Sequence, residues 1–156
     1  MQKKKPKICF ISSAGGHFEQ LKQLKAVKEK YDSFYMVTRT KATEKIKDKR
    51  YIIINLERRN LLVFMLSLVA MTFQQAVILL KERPDVIITT GAGVVIPTCL
   101  MAKMMRRKVI YIESFARVNT PNKTGVFVYK FADLFIIQWE ELREYYPNAV
   151  YGGAIY

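Results

Sequence analysis

From residue 61 to residue 80 the chain runs for twenty residues without a charged side chain, and only Ser67, Thr72, Gln74 and Gln75 interrupt its apolar character. A run of about 20 apolar residues is long enough to cross a bilayer. Its neighbours argue against that topology. Ile52-Ile53-Ile54 precedes it and Val86-Ile87-Ile88 follows it, continuously apolar runs of the kind that parallel sheets bury on both faces. A single crossing would leave those strands on opposite sides of a membrane, where they could not share a sheet. The run therefore reads as the helix of a β–α–β crossover, residues 60–82, which returns the chain to the sheet it left.

The remainder has the same rhythm. Strands are expected at 7–12, 33–38, 51–56, 85–89, 108–112 and 134–138, with a weaker one at 149–151, and helices at 17–30, 60–82, 94–107, 123–132 and 140–145. That alternation predicts an α/β fold, a Rossmann-like doubly wound parallel sheet, in a single domain over 1–156 with residues 1–6 as a basic tail. A crossover helix needs only one apolar stripe, roughly 100° wide. The 60–82 helix is apolar around most of its circumference, so one greasy face is left over. Leu61, Leu62, Phe64, Met65 and Leu66 are expected to face lipid, with Arg58 and Arg59 at that end, and Lys81 and Arg83 at the other, placed to meet headgroups. A protein subunit covering the same face and a helix simply buried deep in the core are the competing readings.

Charge narrows the partners. The chain carries 26 Lys+Arg against 13 Asp+Glu, a formal net charge of +13. An excess of that size points to nucleic acid, an anionic membrane surface or a phosphate-rich ligand. The aromatic residues form no basic-aromatic RNA motif, so no nucleic-acid partner is expected. Lys3-Lys4-Lys5 is followed only by the short apolar run Ile8-Cys9-Phe10-Ile11, which is no signal-peptide core. Cys9 and Cys99 lie in apolar surroundings and read as reduced core thiols.

In a parallel sheet, ligands bind beyond the carboxyl ends of the strands. The first strand delivers Ser13-Ala14-Gly15-Gly16-His17 there, the fourth Thr90-Gly91-Ala92-Gly93-Val94, the fifth Glu113-Ser114-Phe115-Ala116-Arg117 and the sixth Trp139-Glu140. Two glycine-rich turns that each open a helix let a ligand approach the backbone closely and favour an anion. Facing one cleft, Gly15, Gly16, Gly91, Gly93 and Val94 would suit a diphosphate. No G-x-G-x-x-G or P-loop pattern is present, and Thr38-Arg39 stands where a dinucleotide fold ends its second strand on an acid, so a bound dinucleotide is not expected. His17, the sole histidine, is a candidate general base, with a capping or surface histidine as the alternative. Glu113 reads either as a base or sugar-hydroxyl ligand, or as a loop partner of Arg117. Ser114, Arg117, Trp139 and Glu140 complete the edge. No Asp-x-Asp pair or His/Cys cluster suggests a metal, and no cofactor is expected.

Four segments in order then carry a resemblance: Ser13-Ala14-Gly15-Gly16-His17, the Gly91-Ala92-Gly93…Pro97 loop, Tyr111-Ile112-Glu113-Ser114-Phe115-Ala116-Arg117-Val118, and Ala132-Asp133…Gln138-Trp139-Glu140-Glu141-Leu142. Together they resemble the oligosaccharide-biosynthesis family of membrane-recruiting glycosyltransferase subunits, which includes the membrane subunit of the two-protein N-acetylglucosaminyltransferase of N-glycan assembly and its bacterial capsule and exopolysaccharide counterparts. The resemblance implies the N-terminal, acceptor-binding half of a GT-B glycosyltransferase similar to the peptidoglycan lipid II synthase. It also implies a separate subunit carrying the UDP-sugar, an active site between the two chains, and a polyprenyl-diphosphate-linked sugar as acceptor. His17 would then activate the acceptor hydroxyl, and the two glycine loops would face the lipid diphosphate. Eukaryotic relatives carry an N-terminal membrane helix where this sequence has a basic tail. Attachment to an anionic membrane, peripheral or monotopic on the cytoplasmic face, is therefore expected from the 60–82 helix and the positive surface. A non-catalytic scaffold that only recruits and stabilises the transferase is the alternative function.

Overall fold

The computed structural model describes residues 5–57 and 59–155. Within them lie strands β1 Ile8–Ser12, β2 Ser33–Thr38, β3 Arg50–Ile53, β4 Val86–Thr89, β5 Lys108–Ile112, β6 Leu134–Ile137 and β7 Val150–Tyr151. They form one 7-stranded sheet in the order β3-β2-β1-β4-β5-β6-β7, and every pairing is parallel. The helices are α1 Gly16–Lys22, α2 Lys25–Lys30, α3 Lys41–Glu44, α4 Leu61–Glu82, α5 Ile96–Met104 and α6 Lys123–Tyr129. The chain winds outward from β1 to β3, returns through α4 to lay β4 beside β1, then winds outward again. The strand order therefore reverses between β1 and β4, the switch point beside which a parallel sheet places its ligand site.

Alternation along β1 separates two cores. Cys9 and Ile11 pack with Met71, Ile78 and Leu79 of α4, Cys99 of α5 and Val128 of α6. Ile8 and Phe10 point the other way, toward Phe18 and Leu21 of α1, with Leu24 and Val27 packed alongside. Both cysteines are free and wholly buried, and burial pushes the Cys99 thiol up to about 12.

The long apolar run is the crossover helix. Asn60 caps α4 by accepting the Val63 N–H at 2.9 Å, and the helix ends on Arg83 in the left-handed region at φ 46°. Met71, Gln75, Ile78, Leu79 and Glu82 face the sheet. Their polar members are matched there: Gln75 donates to the Val94 carbonyl at 2.9 Å and accepts from Thr98 at 2.7 Å. Glu82 receives Lys7 Nζ at 2.6 Å, Lys49 Nζ at 2.8 Å and the Tyr51 hydroxyl. The opposite stripe stands in the open: Leu62, Leu66, Val69, Phe73, Val77 and Leu80, between 48% and 71% exposed. Their spacing of three and four residues keeps them on one face for the length of the helix, roughly 33 Å at 1.5 Å per residue.

Four of the five expected lipid-facing side chains, Leu61, Leu62, Met65 and Leu66, are exposed. Phe64 is only half-exposed, because 64, 68, 71 and 75 follow the inward stripe. Arg59 is exposed, and Arg58 lies outside the described residues. Elsewhere the expected elements shorten or divide. Residues 17–30 break at Gln23 and Leu24 into α1 and α2, which brings Leu24 and Val27 against the sheet. The 94–107 segment opens as a 3₁₀ turn, Gly93–Val95, before α5, and Glu140–Glu144 is 3₁₀ throughout. Helix α3, which periodicity does not reveal, is made by a capping box in which Thr40 and Thr43 bond each other's backbone N–H.

Candidate functional site

The two glycine loops meet at the switch point and are bonded to one another. His17 Nδ1 lies 2.7 Å from the Thr90 carbonyl, and the Thr90 hydroxyl donates to the His17 carbonyl at 2.7 Å. Each loop is also anchored to a strand end, Ala14 N–H on Thr38 Oγ1 at 2.8 Å and Gly91 N–H on Thr89 Oγ1 at 3.0 Å. A carbonyl oxygen only accepts, so Nδ1 must carry the ring proton and Nε2 the lone pair. Burial of the ring lowers the His17 pKa below its ordinary 6.5, the nearby Arg117 charge adds to that, and the bond to Thr90 opposes it. The imidazole is thus neutral at pH 7, with Nε2 available as a base.

The second loop is built for close approach. Gly91 sits at φ +109°, and a Cβ there would fall 2.6 Å from the Tyr111 hydroxyl, so only glycine fits. Ala92 follows at φ 79° and ψ 150°, a region that belongs essentially to glycine and that costs an alanine about 1–3 kcal/mol. Gly15 and Gly16 are exposed, and nothing lies within 4 Å of where their Cβ atoms would stand. Val94 offers a ligand only its N–H, because its side chain is in the core and its carbonyl is held by Gln75.

A cleft of about 440 Å³ opens beside these loops, lined by His17, Ala92, Ser114, Ala116, Arg117, Asn122, Lys123 and Thr124. Arg117 and Lys123 are exposed, and among the described residues neither has an ion-pair partner, which leaves two cations for an anion entering near Nε2 of His17.

Glu113 does not join them. Its side chain is buried with no exposure, behind the cleft wall. Oε2 accepts from the Tyr146 hydroxyl at 2.7 Å, and Oε1 accepts from the Ser114 N–H at 2.8 Å and from Asn122 Nδ2. Among the described residues it makes no ion pair with Arg117. Burial raises its pKa against the lowering effect of those donors and of Arg117. Such a carboxylate fixes the loop after β5 and the cap of α6, where the Asn122 side chain accepts the Gly125 N–H at 2.7 Å. Trp139 and Glu140 also stand off the cleft. Trp139 Nε1 donates to the Phe115 carbonyl at 2.7 Å and its ring packs on Phe115 at 4.9 Å, propping the same loop. Glu140 pairs with Arg143 at 2.9 Å.

The sequence profile described as oligosaccharide biosynthesis protein Alg14 like matches residues 8–155. The chain belongs to the Alg14 family. It is 31% identical over 175 residues to the Yarrowia lipolytica protein called UDP-N-acetylglucosamine transferase subunit ALG14, a match spanning 96% of this chain and 81% of that one. Against the human protein of the same name it is 37% identical over 81 residues, 48% of this chain and 38% of the human one. The fold is also that of larger enzymes. MurG of Acinetobacter baumannii superposes with a TM-score of 0.72 at 14% identity, over 87% of this chain but 42% of MurG. A UDP-N-acetylglucosamine 2-epimerase from Rickettsia bellii superposes at 0.73 and 12% identity, over 97% and 45% of the respective chains. The chain therefore spans less than half the length of these two solved structures, and its Rossmann-like sheet matches one portion of a MurG-type GT-B enzyme.

Several residues that organise this Alg14-family cleft carry little signal in the sequence. Gln20 is buried on α1, where it donates to Ser114 Oγ at 3.2 Å and accepts from the Phe115 N–H at 3.1 Å and from Gln138 Nε2 at 3.0 Å. Gln138 also donates to the Glu113 carbonyl at 2.9 Å. A polar residue on an otherwise buried helix face is the one available clue to Gln20. Asn122, after Pro121 and before an apolar run, carries a legible N-cap signature. Tyr146 follows a 3₁₀ turn, where no periodicity marks it.

Proposed function

We propose that this chain is the membrane-seated, acceptor-binding subunit of a two-component glycosyltransferase. A separate subunit presents a UDP-sugar, UDP-N-acetylglucosamine by the names of the relatives. The acceptor is a polyprenyl-diphosphate-linked sugar of the kind on which oligosaccharides, capsules and exopolysaccharides are built. One observation carries the reading: the reciprocal bonds between His17 and Thr90 tie the two glycine loops together, and His17 and Ala92 of those loops line one cleft with Arg117 and Lys123. The cations and the loop N–H groups receive the diphosphate. Nε2 of His17 takes the proton of the acceptor hydroxyl as its oxygen attacks the anomeric carbon from the face opposite the leaving group. The bond from that carbon to the UDP oxygen breaks, UDP leaves with the electron pair, and the configuration inverts. Glu113 acts as a positioning residue, through Ser114 and Asn122.

The open stripe of α4 supports the membrane assignment. Full burial of a Leu or Phe side chain contributes about 1.5–3 kcal/mol, and the positive surface draws the chain to an anionic cytoplasmic leaflet at about 1 kcal/mol per well-placed cation. A lipid-linked acceptor then meets the cleft at the bilayer on which the chain already sits.

The test is turnover of the pair reconstituted on liposomes carrying a polyprenyl-diphosphate-sugar. His17→Ala lowers kcat by about 10²–10⁴-fold, the usual contribution of a general base, while co-purification with the partner is unchanged. Arg117→Ala raises KM for the acceptor. Unchanged turnover in both variants would leave the non-catalytic scaffold as the function.

A further inference from the structure

Away from the cleft, a second concavity of about 440 Å³ lies on the sheet face opposite α4, between α1–α2 and the segment that follows α3. Its floor is Phe18 and Tyr35, and Lys22, Lys25, Lys28, Lys45 and Lys47 stand around it. The lysines come from two stretches of chain that the fold brings together, so their charges surround a volume instead of lining a strip. Two acids share the wall, Glu29 and Asp48. Asp48 is held by Lys28, and Lys22 is paired with Glu19 at 2.7 Å outside the pocket. Among the described residues Lys25, Lys45 and Lys47 have no ion-pair partner, and all three are exposed. With five lysines against Glu29 and Asp48 the concavity keeps a net positive charge, and such a site gathers counter-ions.

We infer that this lysine pocket is a binding site for a compact polyphosphate, carried free or as the tail of a nucleotide. Phosphoryl groups match it because each brings more than one negative charge and several acceptor oxygens into a small volume, which converging ammonium groups can surround. Stacking of a nucleobase on the floor is disfavoured: Lys22 Nζ lies over the Phe18 ring at 5.4 Å and Lys28 Nζ over the Tyr35 ring at 5.8 Å, so cations already occupy those faces. Bilayer headgroups are excluded by placement, since a chain seated on its α4 stripe turns this pocket away from that membrane. That exclusion rests on the membrane seating proposed above, whereas the test of the site uses neither the partner nor turnover.

The full chain is titrated calorimetrically with inorganic tripolyphosphate, UTP and uridine at fixed salt. Four proteins are compared: wild type, Lys25→Glu/Lys45→Glu/Lys47→Glu, a control of equal charge change, Lys5→Glu/Lys81→Glu/Lys130→Glu, and Arg117→Ala. The pocket triple variant is expected to bind tripolyphosphate about tenfold more weakly, from three exposed charge contacts of about 0.5 kcal/mol each, while the control triple stays near wild type and Arg117→Ala reports only binding in the cleft. UTP binding no tighter than tripolyphosphate, with uridine inert, identifies a polyphosphate site; tighter UTP binding identifies the nucleotide as its source. Equal loss in both triple variants would reduce the effect to net charge and overturn the proposal. So would loss in Arg117→Ala alone, which places the anion in the cleft, absence of tripolyphosphate binding to wild type, or tighter binding of a polyglutamate peptide.

Discussion

Gly91 and Gly93 are two residues apart in one loop, yet the structure gives them opposite fates on substitution by alanine. At Gly91 the backbone stands at φ +109°, where a side chain costs about 1–2 kcal/mol. The added methyl would also lie 2.6 Å from the Tyr111 hydroxyl and 3.3 Å from His17 Cε1. Tyr111 has nowhere to go: its ring is wholly buried, stacked on Phe135 at 4.8 Å, and its hydroxyl lies 3.2–3.3 Å from the Asn122 amide. Overpacking against a fixed group costs about 1–3 kcal/mol, so Gly91→Ala should destabilise the chain by roughly 2–5 kcal/mol. Gly93 is not among the glycines at positive φ, and the nearest atom its Cβ would meet is Leu56 Cδ1 at 3.9 Å. Gly93→Ala should stay within about 0.5 kcal/mol of wild type. Urea unfolding of both variants decides it, with m-values compared to confirm a common unfolded state. Equal stability losses, or a Gly91→Ala variant indistinguishable from wild type, would refute the steric account of the loop.

Turnover of the reconstituted pair should fall along an acid limb that lies below pH 6.5, because the folded-state pKa of His17 is held under that ordinary value by burial; an acid limb above 6.5 would contradict a buried neutral base. The same histidine makes the fold less stable as pH falls through 6.5, since the unfolded chain takes up the proton first, and His17→Gln should flatten that slope in urea titrations. Glu82 gives the opposite case. Burial alone would raise its pKa, but bonds from Lys49, Lys7 and Tyr51 hold it at about 2, below the ordinary 4.5. Its stabilisation is present above pH 4.5 and is lost as pH falls toward 2, and Glu82→Gln should cost about 3 kcal/mol at pH 7 by removing the buried carboxylate that Lys7, Lys49 and Tyr51 bond. Leu66→Asp and Phe73→Asp, at side chains 61% and 71% exposed, should abolish flotation with anionic liposomes without lowering the unfolding midpoint. Retained flotation would make the α4 stripe a protein interface.

The sequence by itself determined the winding of this chain. Apolar runs bounded by turns, and one long uncharged run that must return to the same sheet, are local patterns, and they sufficed for the parallel order and for the convergence of four strand ends on one edge. That the long helix leaves a greasy face over was legible, because the run is apolar around most of its circumference, but not which residues beyond its first turns form that face, and Phe64 shows that an apolar run alone does not say which of its faces turns inward. Tertiary structure decided the division of labour at the edge. Glu113 and Arg117 are neighbours in sequence and look alike as candidates, yet Glu113 is drawn inward by Tyr146, separated from it by 33 residues, while Arg117 is left facing solvent. His17 owes its tautomer to a carbonyl 73 residues away, and the lysine pocket exists only because α1–α2 and the segment after α3 lie side by side on one face of the sheet. Whether a polar group is buried with partners or left open to a ligand depends on contacts between distant segments, and no local pattern records those.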